Sequence, residues 1–224
     1  MEPDKRDEAT IRAKQISTSS LERGEATAWF DELYKYAGDD ADKIPWADLA
    51  PNRWLLEWLD GQPVAAKGAA AVVVGCGLGD DAEELSRRGY EVTAFDIAPH
   101  AIEWAKRRFS ETSVTYRVAD LFELPSSMEG AFDFAFEAYT IQALPAPVRD
   151  VAIAAVASLV APGGELLAVM RGGEPEEQVD GPPWPVTKPQ LAGYTQAGLL
   201  QDTFDDFMDG TVRRWRVHYL RPMA

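Results

Sequence analysis

The 224-residue chain is 46% hydrophobic and 26% charged, an ordinary globular composition that excludes disordered and fibrous classes and predicts one domain with an appended segment. A single cysteine, Cys76, excludes an internal disulfide framework and a multi-cysteine zinc site, and points to a reducing compartment. Acids outnumber bases 37 to 22, and the net charge of −15 works against nucleic-acid and anionic-membrane binding while favouring small neutral or cationic ligands.

Residues 1–8 lack the apolar run of a signal peptide. The longest apolar stretch, residues 151–160, is shorter than the roughly 18 residues a membrane span needs. A cytoplasmic protein is expected, with no membrane or nucleic-acid partner, as a monomer or weak homodimer.

Residues 1–20 are polar and predict a flexible arm. Residues 21–66 predict a helical cap: Trp29, Phe30, Leu33 and Tyr34 recur at helical spacing, Pro45 breaks the pattern, and Trp54, Leu55, Trp58 and Leu59 resume it. From residue 67 onward the pattern predicts the core domain. Strands are expected at 69–74, 90–96, 114–118, 132–136 and 165–170, with helices at 81–88, 99–109 and 148–160 between them. Pro162-Gly163-Gly164 stops the last of these helices. A further helix is expected at 189–197. The runs 200–207 and 213–220 flank Asp209-Gly210, a hairpin signal. The fold class is therefore α/β: a doubly wound, Rossmann-like, mostly parallel seven-stranded sheet ending in an antiparallel hairpin. The proline-rich stretch 172–186 is long for an idle connection and suggests a lid or pocket wall.

The chemistry concentrates after the first core strand, in Val74-Gly75-Cys76-Gly77-Leu78-Gly79-Asp80-Asp81. Glycines there let backbone approach a ligand closely. Asp96 ends the next strand, where an acid in a doubly wound fold accepts hydrogen bonds from ribose hydroxyls. The spacing is G-x-G-x-G, and no G-K-[ST] follows it. Asp80 and Asp81 open the helix, with Asp80 and Glu83 at capping-box spacing, so a pyrophosphate would meet carboxylates there. A ribose-bearing ligand without phosphates suits this pattern, and S-adenosylmethionine (SAM) is one.

Gly75-Cys76-Gly77-Leu78-Gly79, Asp96 and Asp120-Leu121 resemble the glycine motif, ribose acid and adenine-edge acid of class I SAM-dependent methyltransferases. The resemblance covers roughly residues 68–222, the terminal hairpin included. Two shorter segments, Trp29-Phe30 through Ile44-Pro45-Trp46 and Gly181-Pro182-Pro183-Trp184-Pro185, resemble the thiopurine S-methyltransferase and thiol (halide) methyltransferase group.

The resemblance implies SAM as cofactor and S-adenosylhomocysteine (SAH) as product. It places Gly75, Cys76 and Gly77 on the methionine half, Asp96 on the ribose and Ile97 on the adenine. Asp120 and Leu121 then meet the adenine edge, and Glu137, ending the fourth strand, also faces the cofactor. Asp96 as a helix cap and Asp120 as a turn aspartate are the competing readings. Cys76 is read as a small loop filler, since displacement at a sulfonium needs no protein thiol. Tyr139 is the candidate to accept or relay a proton. Trp29, Phe30, Trp46 and Trp184 are candidates for an aromatic acceptor pocket, with ordinary core packing as their alternative. Arg171 is a candidate for an acidic acceptor or a plain surface arginine. His100 and His218 have no metal partner in view, so no metal is expected.

The expected function is methyl transfer to a small-molecule thiol, whose thiolate is nucleophilic without a strong base. Oxygen or nitrogen methylation, a nicotinamide oxidoreductase and a non-catalytic SAM or SAH sensor are the alternatives.

Overall fold

The computed structural model describes residues 5–62, 68–177 and 179–223. The expected boundary between cap and core, at residues 66 and 67, lies outside the described residues.

Seven strands form one sheet: β1 (Ala70–Val74), β2 (Glu91–Asp96), β3 (Thr115–Val118), β4 (Phe132–Ala138), β5 (Val160–Arg171), β6 (Leu200–Asp209) and β7 (Val212–Leu220). Their order is β3-β2-β1-β4-β5-β7-β6. β1 to β5 pair in parallel, and β7 pairs antiparallel with both β5 and β6. This is the Rossmann-like α/β fold expected from the alternation of strand and helix patterns. The chain leaves β1 toward β2 and β3, then returns to place β4 on β1's other side. That reversal opens a crevice at the carboxyl ends of the strands, where such sheets bind ligands.

The two-residue period of the strands explains why both faces are covered. On β1, Ala71 and Val73 join the cluster made with α3 (Arg53–Gly61), α4 (Asp80–Arg87) and α5 (Pro99–Arg108). Val72 and Val74 point the other way, into the cluster made with α6 (Ala146–Ser158) and α7 (Lys188–Gln196). On β5, Leu167 and Val169 take the first face, and Leu166, Ala168 and Met170 the second. A one-residue slip would exchange these sets, so the register is pinned by burial on both sides.

Two elements differ from the sequence reading. Residues expected as a flexible arm form an 18-residue helix, α1 (Lys5–Glu22), whose buried residues are Ala9, Ala13, Ser17 and Ser20. These small side chains recur at helical spacing and let α1 lie close against α2 (Ala28–Ala37). A search for large apolar residues misses such a face. Ion pairs from Lys5 to Asp42, Arg6 to Asp48 and Lys14 to Asp180 hold the helix. The second difference is β5, which begins at Val160, ahead of the expected 165. The Pro162-Gly163-Gly164 stretch lies within it at a register shift against β4, between Phe132 and Phe134. A bulge lets proline sit in a strand without a missing ladder bond.

At the opposite end of the sheet from the crevice, His218 bridges Glu165 and Asp202 at 2.8 and 3.0 Å. Among the described residues no helix is long and apolar enough to cross a membrane.

Candidate functional site

The chain leaves β1 through three glycines with positive φ: Gly75 (+62°), Gly77 (+51°) and Gly79 (+92°). At Gly75 a β-carbon would stand 2.4 Å from Thr140 Oγ1, and at Gly77 it would stand 3.0 Å from Tyr34 Oη. Side chains are excluded there by conformation and by space, which leaves bare backbone facing the crevice. The Cys76 N–H donates to the Phe95 carbonyl at 2.9 Å, stitching the turn to β2. Asp96 completes the stitch, accepting from the Gly77 N–H at 3.0 Å and the Ala98 N–H at 2.9 Å. Burial holds its carboxyl above the usual range, against the pull of those N–H groups. Each carboxylate oxygen keeps a further lone pair for a ligand.

The start of α4 departs from the expected capping box. Gly79, left-handed, is the cap, and Asp80 takes a two-pronged ion pair from Arg108 at 2.7 Å for both bonds. Glu83 accepts instead from Thr112 Oγ1 and Tyr116 Oη. Asp81 turns into the pocket wall, where its Oδ1 accepts the Asn52 N–H at 2.6 Å. Removal from water pushes its carboxyl up to about 7, against the Asn52 bond and aided by the charge on Asp80.

These groups line one cavity of about 890 Å³. On the side of β2 and β3 stand Phe95, Asp96, Ile97, Asp120, Leu121 and Phe122. The Asp120 side chain accepts the Phe122 N–H at 2.9 Å. On its other side Trp29 stacks on Phe30 at 4.0 Å, Trp46 meets Trp29 edge-on at 5.9 Å, and Trp46 Nε1 donates to Tyr34 Oη at 2.9 Å. α1 contributes Arg6, Thr10, Ala13 and Lys14 to the wall.

Beyond the end of β4, Tyr139 adopts φ +66°, a conformation rare for a side-chain-bearing residue. The Arg214 guanidinium lies 4.7 Å over its ring. Burial raises the Tyr139 phenol above its usual range, against the nearby Arg214 charge. Tyr139 is therefore a hydrogen-bond donor at neutral pH.

Of the residues singled out in the sequence, Gly75, Cys76, Gly77, Asp96, Ile97, Asp120, Leu121, Trp29, Phe30, Trp46 and Tyr139 all line this cavity. Two do not. Glu137 is fully buried behind the turn and outside the cavity wall, where its Oε2 accepts the Thr140 N–H at 3.1 Å and braces the turn. Burial pushes its carboxyl up to about 8. Trp184 is also outside the cavity wall, because its N–H donates to the Gln142 carbonyl and its ring lies beside Arg149. Pro182 and Pro183 present themselves in its place. Cys76 is buried and its thiol is raised well above its usual range by burial, in keeping with a filler. Arg171 is tied to Glu177 at 2.5 Å. The sequence reading passed over Tyr34, Asn52, Thr140, Gln142 and Arg214, which also line the cavity and come from four separate elements or connections.

The stretch 179–187 is fastened by Arg149, a residue 3% exposed. Arg149 donates to the carbonyls of Gln142, Leu144, Trp184 and Pro185 and to Gln190 Oε1. Burial lowers its guanidinium to about 10. Among the described residues there is no cluster of three or more His, Cys, Asp or Glu side chains placed to hold a metal.

Comparison with known proteins agrees with the fold. Residues 71–164 match the family model described as a methyltransferase domain. A ubiquinone biosynthesis O-methyltransferase of Xanthomonas campestris pv. campestris is 38% identical over 143 residues, 63% of this chain and 55% of that protein. The chain thus spans little more than half the length of the curated relatives it matches. Among solved structures, a protein described in the conversion of a disulfide bond into a thioacetal group during echinomycin biosynthesis has a TM-score of 0.72 at 19% identity, covering 88% of this chain and 91% of its own. The [4+2]-cyclase SpnF has a TM-score of 0.67 at 15% identity, covering 99% and 97%. At these identities the likeness is one of fold.

Replacing Arg149 with Met leaves buried carbonyls without donors. It is expected to cost about 3–5 kcal/mol, a fall in Tm of roughly 10 °C, and to open residues 172–187 to proteolysis. Thermal unfolding and limited digestion check this; an unchanged Tm and digestion pattern would contradict the clamp.

Proposed function

We propose that the chain is a SAM-dependent methyltransferase acting on a small molecule. The observation that supports this most directly is the glycine turn locked to Asp96 and opening on the cavity. Both features suit a ligand with a ribose diol and no phosphate. SAM, when bound, supplies a methyl group activated by its sulfonium.

The residues present suit that cofactor. The Gly75–Gly77 backbone would lie along the methionine half, since any β-carbon there collides with Thr140 or crowds Tyr34. Asp96 would accept from the ribose hydroxyls, and Ile97, Leu121 and Phe122 would flank the base with Asp120 at its edge. Asp81 is the acid placed for the methionine ammonium, because a cation there would offset the cost of ionising a desolvated carboxyl.

The acceptor side offers Tyr139, Asn52, Gln142 and Arg214 and the aromatic group Trp29, Phe30 and Trp46. Aromatic faces stabilise a passing sulfonium charge and exclude water. The described residues of this wall include no histidine, and Tyr139 holds its proton. The bases this wall does offer are carboxylates, Asp81 among them, and an acceptor X–H group that ionises readily asks least of them. The O-methyltransferase relatives favour an acidic hydroxyl on oxygen. A thiol is the second reading, favoured by the resemblance of the aromatic segments to thiol methyltransferases; of these segments Trp29, Phe30 and Trp46 line the cavity.

The direct test offers SAM with matched acceptors, catechols and phenols against aromatic and aliphatic thiols, and measures SAH and methylated product by mass spectrometry. Product from acidic hydroxyls alone supports oxygen transfer, and product from thiols alone transfers the assignment to sulfur. SAH binding without turnover on any acceptor would leave a sensor and overturn the enzyme reading. A second expectation concerns pH. SAH affinity should rise as pH climbs through about 7, because the ammonium favours ionised Asp81. It should fall again once the amino group loses its proton near pH 8. Asp81→Asn should flatten the rise and weaken binding roughly 10-fold at pH 7.5. Calorimetric titration across pH checks this, and an unaltered profile in the variant would remove Asp81 from that role.

A further inference from the structure

Among the described residues, five cationic side chains line the cavity: Arg6, Lys14, Arg53, Arg171 and Arg214. Four are committed to neighbours. Arg6 pairs with Asp48, Lys14 with Asp180 at 2.8 Å, Arg53 with Asp209 at 2.5 Å and Arg171 with Glu177 at 2.5 Å. Arg214 is different. Its ion pair is the loosest of the five: Asp209 Oδ2 stands 3.6 Å from Nε, beyond hydrogen-bond distance, while Arg53 holds Oδ1 of the same carboxylate at 2.5 Å. Its Nε is buried and has no hydrogen-bond partner among the described residues. Its side chain is only 19% exposed.

A guanidinium withdrawn this far from water with unmet donors is costly to keep. Its geometry shows what would satisfy it. One face is occupied by the Tyr139 ring, so what remains is the flat N–H edge, which matches the two oxygens of a carboxylate. Among the described residues no other carboxylate forms an ion pair with it: Asp48 pairs with Arg6, Asp180 with Lys14 and Asp80 with Arg108, and Asp81, Asp96 and Asp120 accept from backbone N–H groups.

The sheet order places this group on the acceptor side. Asp96 and Asp120 follow β2 and β3, on one side of β1. Arg214 is on β7, paired with Arg171 of β5 and three strand positions from β1 on the other side. At about 4.8 Å per strand this puts roughly 14 Å of sheet between the glycine turn and the Arg214 backbone.

We propose that Arg214, stacked on Tyr139, is the anchor for a carboxylate carried by the methyl acceptor, so that the preferred substrates are planar hydroxy- or mercapto-acids and not their neutral counterparts. This rests on the methyl-transfer reading above. The same chemistry could come from the methionine carboxylate of the cofactor, and the experiment separates the two sources.

The full chain is compared with Arg214→Met and Arg214→Lys. Salicylate, 2-mercaptobenzoate and plain benzoate are titrated calorimetrically into SAH-loaded protein, and SAH is titrated into free protein. Steady-state constants are measured for 2-mercaptobenzoate against thiophenol and for hydroxybenzoates against phenol. The wild type is expected to bind the acids and to favour them over neutral partners roughly 10- to 100-fold in kcat/KM through KM. In Arg214→Met that preference collapses toward one and acid binding is lost while SAH still binds; Arg214→Lys recovers part of it. Equal acid binding in wild type and Arg214→Met would overturn the proposal. A loss of SAH affinity that matches or exceeds the loss of acid binding would also overturn it, assigning Arg214 to the cofactor. Arg214-dependent acid binding with no turnover would uphold the anchor and sink only the methyl-transfer reading.

Discussion

The site depends on one carboxylate. Asp96 accepts the Gly77 and Ala98 N–H groups, and so ties the turn after β1 to the end of β2 while both open on the cavity. Without that tie, a turn of positive-φ glycines would have many alternative conformations, each less suited to lie against a ligand. The Cys76 N–H to Phe95 carbonyl bond reinforces it from the strand side. Burial of both β1 faces supplies the rigid base on which the turn is held.

Around this fixed half, a more adjustable half is assembled from distant parts of the chain. α2 supplies Trp29 and Phe30 of the aromatic wall and packs on Leu78, Ala98, Ala101 and Trp104, while α1 is the cover, joined to the remainder beyond α2 by exposed ion pairs such as Lys14–Asp180. Such pairs are each worth little in water, so the cover is the part of the site that opens at least cost. The Arg149 clamp has the opposite character. It is buried, satisfies four carbonyls, and keeps residues 182–187 fixed against the end of the sheet.

Much of this was legible in the sequence for definite reasons. The unbroken apolar run Ala70–Val74, the glycines after it and the acid at 96 form a local pattern, and local patterns fix strand, turn and strand-end acid together. What escaped was non-local. Arg214 becomes notable only when β7 pairs with β5 and carries it over Tyr139, a contact 75 positions apart that no spacing announces. Asn52 and Tyr34 reach the cavity through packing of the cap helices. Glu137 and Trp184 stand outside the cavity wall, and residues near a strand end or in an aromatic segment look the same in sequence whether they face a cavity or brace it from behind. α1 escaped because its buried face is Ala9, Ala13, Ser17 and Ser20, a helical stripe without large apolar residues.

The most direct test of the account is calorimetric binding of SAH to the wild-type chain and to Asp96→Ala, with NADH as comparator. The account requires one SAH site in the wild type, weakened by at least roughly 10-fold in Asp96→Ala, with no NADH binding. NADH binding in place of SAH, or equal SAH affinity in the two proteins, would contradict it.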